Sequence, residues 1–370
     1  MVISILSDIH IGKRNFRKTI PPNNINAVEF KGYEQWHNCI NNIVNNKPDL
    51  LIIAGDVFHN SDPTSLCLDN AIKGFMKLEE ARIKTFVIAG NHDSSFTNQI
   101  KNTHPFKNID RFNYIAFIYN KVEYLDVDDI FITFLPHFNI NNEDAQKKFD
   151  SIMRKITVKN KNINKKKILV SHGVCKNWIE RFINKSNNEN PLTIGSMIFP
   201  DSFLNTFDYV IMGHIHQPFV QNIFDNFYQS KRIVPGSILQ DNSIEDLVQN
   251  SSIIGTGPLY LNTKNGELIR NNIDSIKIIK SFIKSKEDLN KLMSNIDFNI
   301  YFINYDGKWE DVELNLYNKA VKNSLYFNLQ VKPTRKISNI STSVQDFWIW
   351  VSKSYPEYLN EFKTIAKGEQ

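Results

Sequence analysis

The chain has 370 residues and a formal net charge of +5, enough length for one large apolar core and a smaller second one. Its acidic and basic residues are interspersed, so charge alone does not select nucleic acid as a partner. Three well-separated cysteines, Cys39, Cys67 and Cys175, exclude a CxxC zinc site and a disulfide framework, and no apolar run reaches the roughly 20 residues of a membrane span.

The first apolar run, Ile3-Ser4-Ile5-Leu6, ends in Ser7-Asp8-Ile9-His10; lacking a basic leader, it reads as a strand and not as a signal peptide. A loop from Ile11 to about Lys31 carries Lys13, Arg14, Arg17 and Lys18. The spacing of Trp36, Ile40, Ile43 and Val44 predicts a helix over Tyr33–Asn45. Leu50-Leu51-Ile52-Ile53-Ala54 is a strand buried on both faces, and it delivers Gly55-Asp56. A second helix is expected over Thr64–Ala81, with Leu68, Ala71, Ile72, Phe75 and Met76 at helical spacing. A third strand begins at Thr85 and ends in Gly90-Asn91-His92-Asp93, completing a β-α-β-α-β unit. The polar, irregular stretch Ser94–Tyr114 is expected to lie over the strand ends.

Strands near Ala116–Tyr119 and Ile130–Leu135 follow, then a helix over Asn142–Arg154 and a basic connection, Lys155–Lys167. Lys159, Lys161, Lys165, Lys166 and Lys167 make that connection either a solvated loop or a contact for phosphates. Ile168-Leu169-Val170 ends in Ser171-His172-Gly173, and Tyr209-Val210-Ile211-Met212 in Gly213-His214-Ile215-His216. Between them Ser186–Pro191 reads as a loop. Beyond Val234-Pro235-Gly236-Ser237 and a long polar stretch, Leu239–Gly257, a hairpin over Leu259–Leu268 turns at Asn265-Gly266. From about Asn271 a small α+β module is expected: strand Ile276–Ile279, helix Ser285–Asn295, strand Phe298–Tyr305, helix Asp311–Lys322, strand Leu325–Val331. Pro333–Thr342 reads as a linker, and Val344–Ser354 as a short helix bearing Phe347, Trp348, Ile349 and Trp350.

Apolar strands tipped by Asp, Asn or His read as a metal centre built along one sheet edge, where α/β sheets place their chemistry. The candidate ligands are Asp8, His10, Asp56, Asn91, His172, His214 and His216. Asp56, with two oxygens on a central strand, is the natural bridge. Oxygen and nitrogen donors without thiolates suit Mn, Fe or Zn. So many ligands exceed one four-coordinate ion and fit two. Two ions roughly 3.5–4 Å apart can activate water and offset charge developing on phosphorus. His92, beside a ligand, can give a proton to a leaving oxygen. Any one of these short motifs alone is more often structural.

Asp8-x-His10, Gly55-Asp56, Gly90-Asn91-His92-Asp93, His172 and Gly213-His214-x-His216 together resemble the calcineurin-like metallophosphoesterase superfamily. Asp8-Ile9-His10-Ile11-Gly12, Gly55-Asp56-Val57-Phe58-His59, Gly213-His214-Ile215-His216-Gln217-Pro218 and Val234-Pro235-Gly236-Ser237 resemble its SbcD-type DNA repair nucleases, a branch that includes phage recombination endonuclease subunits. The resemblance implies a four-layer α/β/β/α sandwich over residues 1–270, a DNA-capping α+β domain over 271–335 and a C-terminal partner-binding segment over 336–370. It implies one metal on Asp8, His10, Asp56 and His216 and another on Asp56, Asn91, His172 and His214. Mn2+ is the expected ion, with Mg2+, Fe2+ or Zn2+ as alternatives. His92 becomes the catalytic histidine, and His59 either orients substrate or is structural. His37, His104 and His137 match no ligand position.

The implied activity is a 3′→5′ exonuclease on duplex DNA ends and an endonuclease on single strands or hairpins. The implied partners are DNA, an SbcC-type coiled-coil ATPase and a second copy of the chain. The helix at Thr64–Ala81 and the stretch after Asp93 lie where the family dimerises, though that helix equally fits packing on its own sheet. Phe347–Trp350 either anchors the ATPase or closes the capping core. The expected location is the cytoplasm, that of the host for a phage protein. Two alternatives stay open: another phosphoesterase acting on nucleotides, RNA or phosphoproteins, and a catalytically idle scaffold at DNA ends.

Overall fold

The computed structural model describes residues 1–16, 18–20, 24–94, 104–140, 142–178, 196–224, 229–239, 255–276 and 278–331. Arg17, Ser186–Pro191, most of Leu239–Gly257, Pro333–Thr342 and Val344–Ser354 with its aromatic run lie outside the described residues.

β1 (Val2–Leu6) pairs in parallel with β2 (Leu50–Ala54), Ile3 beside Leu50 and Leu6 beside Ile53. Every residue of β2 is buried, because alternate side chains enter two different cores. Leu51 and Ile53 point to helices α1 (Ala27–Asn46) and α2 (Ser65–Glu80); Leu50, Ile52 and Ala54 point the other way. α1 starts earlier than the apolar spacing predicts. The Asn26 side chain accepts from the Val28 and Glu29 N–H groups and caps the helix there. The preceding loop is shortened accordingly and holds a two-residue ribbon, Thr19–Ile20 against Ile25–Asn26.

β3 (Thr85–Ile88) and β4 (Ile115–Ile118) extend the sheet on one side, and β11 (Leu259–Asn262) and β12 (Leu268–Arg270) on the other. Its order is β12-β11-β1-β2-β3-β4. A second six-stranded sheet contains β5 (Glu123–Val127), β6 (Ile130–Leu135), β7 (Lys166–His172), β8 (Tyr209–Gly213), β9 (Phe219–Phe224) and β10 (Gln229–Val234). It is ordered β9-β10-β8-β7-β6-β5. Ile3, Ile5 and Ile52 of the first sheet pack on Ile132, Phe134, Val170 and Ile211 of the second. α3 (Glu143–Lys161) covers the outer face of the second sheet through Phe149 and Ile156. The layers are therefore α/β/β/α, as expected.

Three expectations need correction. The chemistry-bearing strand ends do not share one sheet: β1, β2 and β3 belong to the first, β7 and β8 to the second. Apolar runs show that a strand is buried but not which sheet buries it. The basic connection Lys155–Lys167 is no loop; α3 continues to Lys161 and β7 begins at Lys166. Lys159 sits 3.4 Å from the Tyr124 ring centroid, Lys165 pairs with Asp126, and Lys166 donates to the Thr263 carbonyl. These lysines are spent on a helix terminus and an edge strand. Within the stretch Ser94–Tyr114, Pro105–Asn108 forms a 3-10 turn whose Phe106 is buried beside Phe58 and Phe117. That part belongs to the core, while 95–103 lie outside the described residues.

A third, three-stranded parallel sheet is built from β13 (Ile278–Ile283), β14 (Ile300–Tyr305) and β15 (Tyr326–Val331), with α4 (Lys286–Ser294) and α5 (Leu314–Asn323). The helices close one face over Ile303, Leu289 and Ala320. The other face presses Ile300, Phe302 and Tyr326 against Ala27 and Val28, where α1 starts, with Phe16 stacked on Tyr326.

Candidate metal centre

The ends of β1 and β2 are zipped together: Asp8 N–H donates to Gly55 O (3.0 Å) and His10 N–H to Asp56 O (2.9 Å). This pairing holds three side chains in left-handed backbone, Asp8 at φ 50°, His10 at φ 50° and Asp56 at φ 53°. A non-glycine residue in such a conformation costs on the order of 1–3 kcal/mol, and such strain gathers at functional sites. Gly55, at φ 92°, lets the two sheets close, and Gly90 lets its turn close on Asp56. A Cβ on Gly55 would run into the His172 ring, and one on Gly90 into the Asp56 carboxylate.

The structure brings all the predicted ligands to this point. Asp56 Oδ2 lies 3.6 Å from His10 Nε2 on one side and 3.3 Å from His172 Nε2 on the other. On the first side His10 Nε2 and His216 Nε2 face each other at 2.9 Å, with Asp8 Oδ1 4.0 Å from His216 Nε2. On the second side Asn91 Oδ1 lies 3.0 Å from His172 Nε2 and 3.0 Å from His214 Nδ1. Asp8, Asp56, His10 and His172 are all buried.

Burial also sets the charges. It holds His10 well below the usual imidazole range and takes His216 down to about 3, so both offer neutral nitrogen lone pairs. Burial opposes charge on Asp56 too, but His172 beside it outweighs burial and holds the carboxyl well below its ordinary value; against its own burial, His172 is raised in turn to about 9 by Asp56. Burial pushes Asp8 up to about 6. Two groups of converging donors, imidazole nitrogens beside carboxylate and amide oxygens, joined through one carboxylate, fit two divalent cations.

A family model, the calcineurin-like phosphoesterases, matches residues 1–218. The chain belongs to that family. It is 26% identical over 366 residues to the DNA double-strand break repair protein Mre11 of Methanococcus maripaludis, covering 96% of this chain and 89% of that protein. It is 24% identical over 306 residues to the Mre11 protein of Methanocaldococcus jannaschii, covering 80% and 73%. To a subunit of the nuclease SbcCD of Staphylococcus epidermidis it is 25% identical over 263 residues, covering 65% and 62%. The phosphoesterase family implies a dinuclear divalent-metal site, and the donors above suit one.

In this phosphoesterase His92 is tied to the centre twice. Its backbone N–H donates to Asp56 Oδ1 (2.9 Å), and its Nδ1 lies 2.8 Å from the His59 carbonyl oxygen. A carbonyl only accepts, so Nδ1 carries the hydrogen and Nε2 is left to exchange a proton. The His59 ring stacks on that of His92 at 5.2 Å and 18°, and its Nδ1 is 3.4 Å from His10 Nδ1. Burial takes His59 down to about 4.

The sequence motifs assign no role to Asp93, although it closes one of them. Its buried carboxylate accepts from the N–H groups of Val57 (3.2 Å), Phe58 (2.8 Å) and Gly90 (2.9 Å), and so clamps the turns after β2 and β3. Burial pushes it up to about 7. Ser196 was also missed: its Oγ lies 2.7 Å from His214 Nε2, and no spacing signal marks it. Of the remaining histidines, His37 faces Asn70 Oδ1 (3.1 Å) and His104 stacks on Tyr119, while His137 is buried and its backbone N–H donates to Ala89 O (2.9 Å). The three cysteines are free and buried. Among the described residues no helix is long and apolar enough to cross a membrane.

Proposed function

We propose that this phosphoesterase is a DNA repair nuclease of the SbcD type, a 3′→5′ exonuclease on duplex ends and an endonuclease on single strands or hairpins. The observation that carries the reading is Asp56 Oδ2 between His10 and His172, with a second set of donors on each side. The relatives named as a DNA double-strand break repair protein and as part of a nuclease support DNA as the substrate.

In this reading Asp8, His10, Asp56 and His216 hold one ion and Asp56, Asn91, His172 and His214 the other, with Mn2+ the first choice and Mg2+, Fe2+ or Zn2+ the alternatives. Bound ions supply Lewis acidity and an activated water for attack on phosphorus. His92 does the proton work: its Nδ1–H, given to the His59 carbonyl, fixes the ring so that Nε2 can pass a proton to the leaving oxygen. His59 positions His92 through its carbonyl and stacked ring.

Residues 1–270 form the catalytic domain, 271–335 a cap over DNA and 336–370 the contact for an SbcC-type ATPase; two copies of the chain work together. The cap assignment is supported by the bolt between the third sheet and the loop after His10. Lys18 Nζ donates to Lys322 O (2.6 Å) and to Ser324 O, and Phe16 stacks on Tyr326.

The test is cleavage of end-labelled duplex and single-stranded DNA beside bis-p-nitrophenyl phosphate, with Mn2+, Mg2+ or chelator. Mn2+-dependent DNA cleavage is the expected result. Hydrolysis of the small ester with DNA left intact, with and without the ATPase, would transfer the reading to another phosphoesterase substrate.

A further inference from the structure

Asp8 and His216 reach the centre from different sheets, the first past β1 and the second past β8. One link between the two turns is direct: the His214 N–H donates to the Asp8 carboxylate (3.0 Å to Oδ1, 3.2 Å to Oδ2). The turn Pro235-Gly236-Ser237, which follows β10, touches both. The Ser237 N–H donates to His216 O (2.9 Å), and the Ser237 hydroxyl donates to Asp8 O (2.7 Å). That second bond falls on the carbonyl of a residue held at φ 50°, so it restrains a backbone that would otherwise relax.

The turn is itself held from both sides. Gly236, at φ 76°, lies where a Cβ would come within 2.7 Å of His216 O and of Pro218 N, so the turn can follow the His216 backbone closely only without a side chain. From the first sheet, half-buried Arg270 of β12 donates to the carbonyls of Pro235 and Gly257. Ser237 is 5% exposed, out of competition with water. Its hydroxyl also accepts from the Leu239 N–H (3.2 Å), which fixes its direction.

We propose that Ser237 is a positioning residue that sets the spacing of Asp8 and His216, and so selectively tunes the ion held with His10. This rests on the two-ion reading above. Ser237 touches no candidate donor atom; it acts through the two backbones. Of the other ion's donors, Asn91 and His172 receive nothing from it, and His214 meets Asp8 only through its own N–H on the carboxylate, so the first ion should bear the loss.

Mn2+ is titrated calorimetrically into the metal-free full-length chain as wild type, S237A and S237T, alongside the melting temperature of each metal-free protein. Wild type takes up two ions. S237A weakens one of them by about tenfold, within the 10–100-fold range seen when a supporting hydrogen bond of a metal site is lost. The other affinity holds, and S237T restores the first. Ser237 loses this role if S237A titrates like wild type, if both ions weaken together, or if S237T behaves like S237A. A wild type that takes up no Mn2+ overturns the two-ion reading itself.

Discussion

Asp56 shows how much one side chain does here. Its Oδ2 faces imidazoles from both sheets, its Oδ1 accepts the His92 N–H, and its backbone carbonyl holds His10. His92 depends on that framework without supplying a donor to it in the proposed assignment. H92A should therefore retain both ions by elemental analysis while kcat falls by about 10²–10⁴-fold, the usual contribution of a positioned acid. Unchanged kcat with intact metal content would end its catalytic role. Asp93 makes a different prediction, one of stability. Alanine there strands the N–H groups of Val57, Phe58 and Gly90 in a buried turn. The cost is about 3–5 kcal/mol, since each unsatisfied buried donor costs about 1–3 kcal/mol and neighbouring losses are not additive. Urea unfolding of D93A checks it, and a midpoint at the wild-type value would show that the clamp is dispensable.

At the scale of elements, α1 and α2 make the outer layer beside the first sheet, and they pack with Gly74 against Trp36. A Cβ on Gly74 would enter the Trp36 indole, whose N–H donates to Asn70 O (3.1 Å). G74A should cost about 1–3 kcal/mol by overpacking, although alanine is the better helix former. A denaturation midpoint raised by G74A would mean that the helices separate freely. N26A, by removing the cap of α1, should cost about 1 kcal/mol. Capping was legible in the residue type of Asn26, but the apolar stripe that marks a helix begins only at Tyr33. Likewise α3 runs on through Lys155–Lys161: buried Ile156 keeps the spacing of Phe149, Ile152 and Met153, but the lysines that follow read as a connection. β5, Glu123–Val127, is an edge strand without a buried residue and carries no long apolar run to announce it.

At the scale of the molecule, the proposed ions sit where two separately formed sheets meet, so their removal should loosen that junction. Mn2+ at 100 times its dissociation constant should add about 2.7 kcal/mol per site, and chelator should lower the melting temperature by the same linkage. A melting temperature indifferent to both would argue that the donors are not a metal site. Removal of the residues after Thr342 should leave Mn2+-dependent cleavage intact and abolish capture of an SbcC-type ATPase. An unchanged pull-down would place that contact elsewhere.

Short motifs at strand ends, Asp8-x-His10, Gly55-Asp56, Gly90-Asn91-His92-Asp93, His172 and Gly213-His214-x-His216, were enough to name the candidate donors, and the family they resemble implied the layered α/β class. Strand burial and side-chain chemistry are local properties, written in the order of the residues. Which sheet each strand joins is not local. Only the tertiary structure divided the centre between two sheets, set Asp93 across two turns, passed the His59 carbonyl to His92 and placed Ser237 between Asp8 and His216. Apart from Asp93 to Gly90, those contacts join residues far apart in the chain through backbone groups, which every residue carries alike, so no residue pattern announces them.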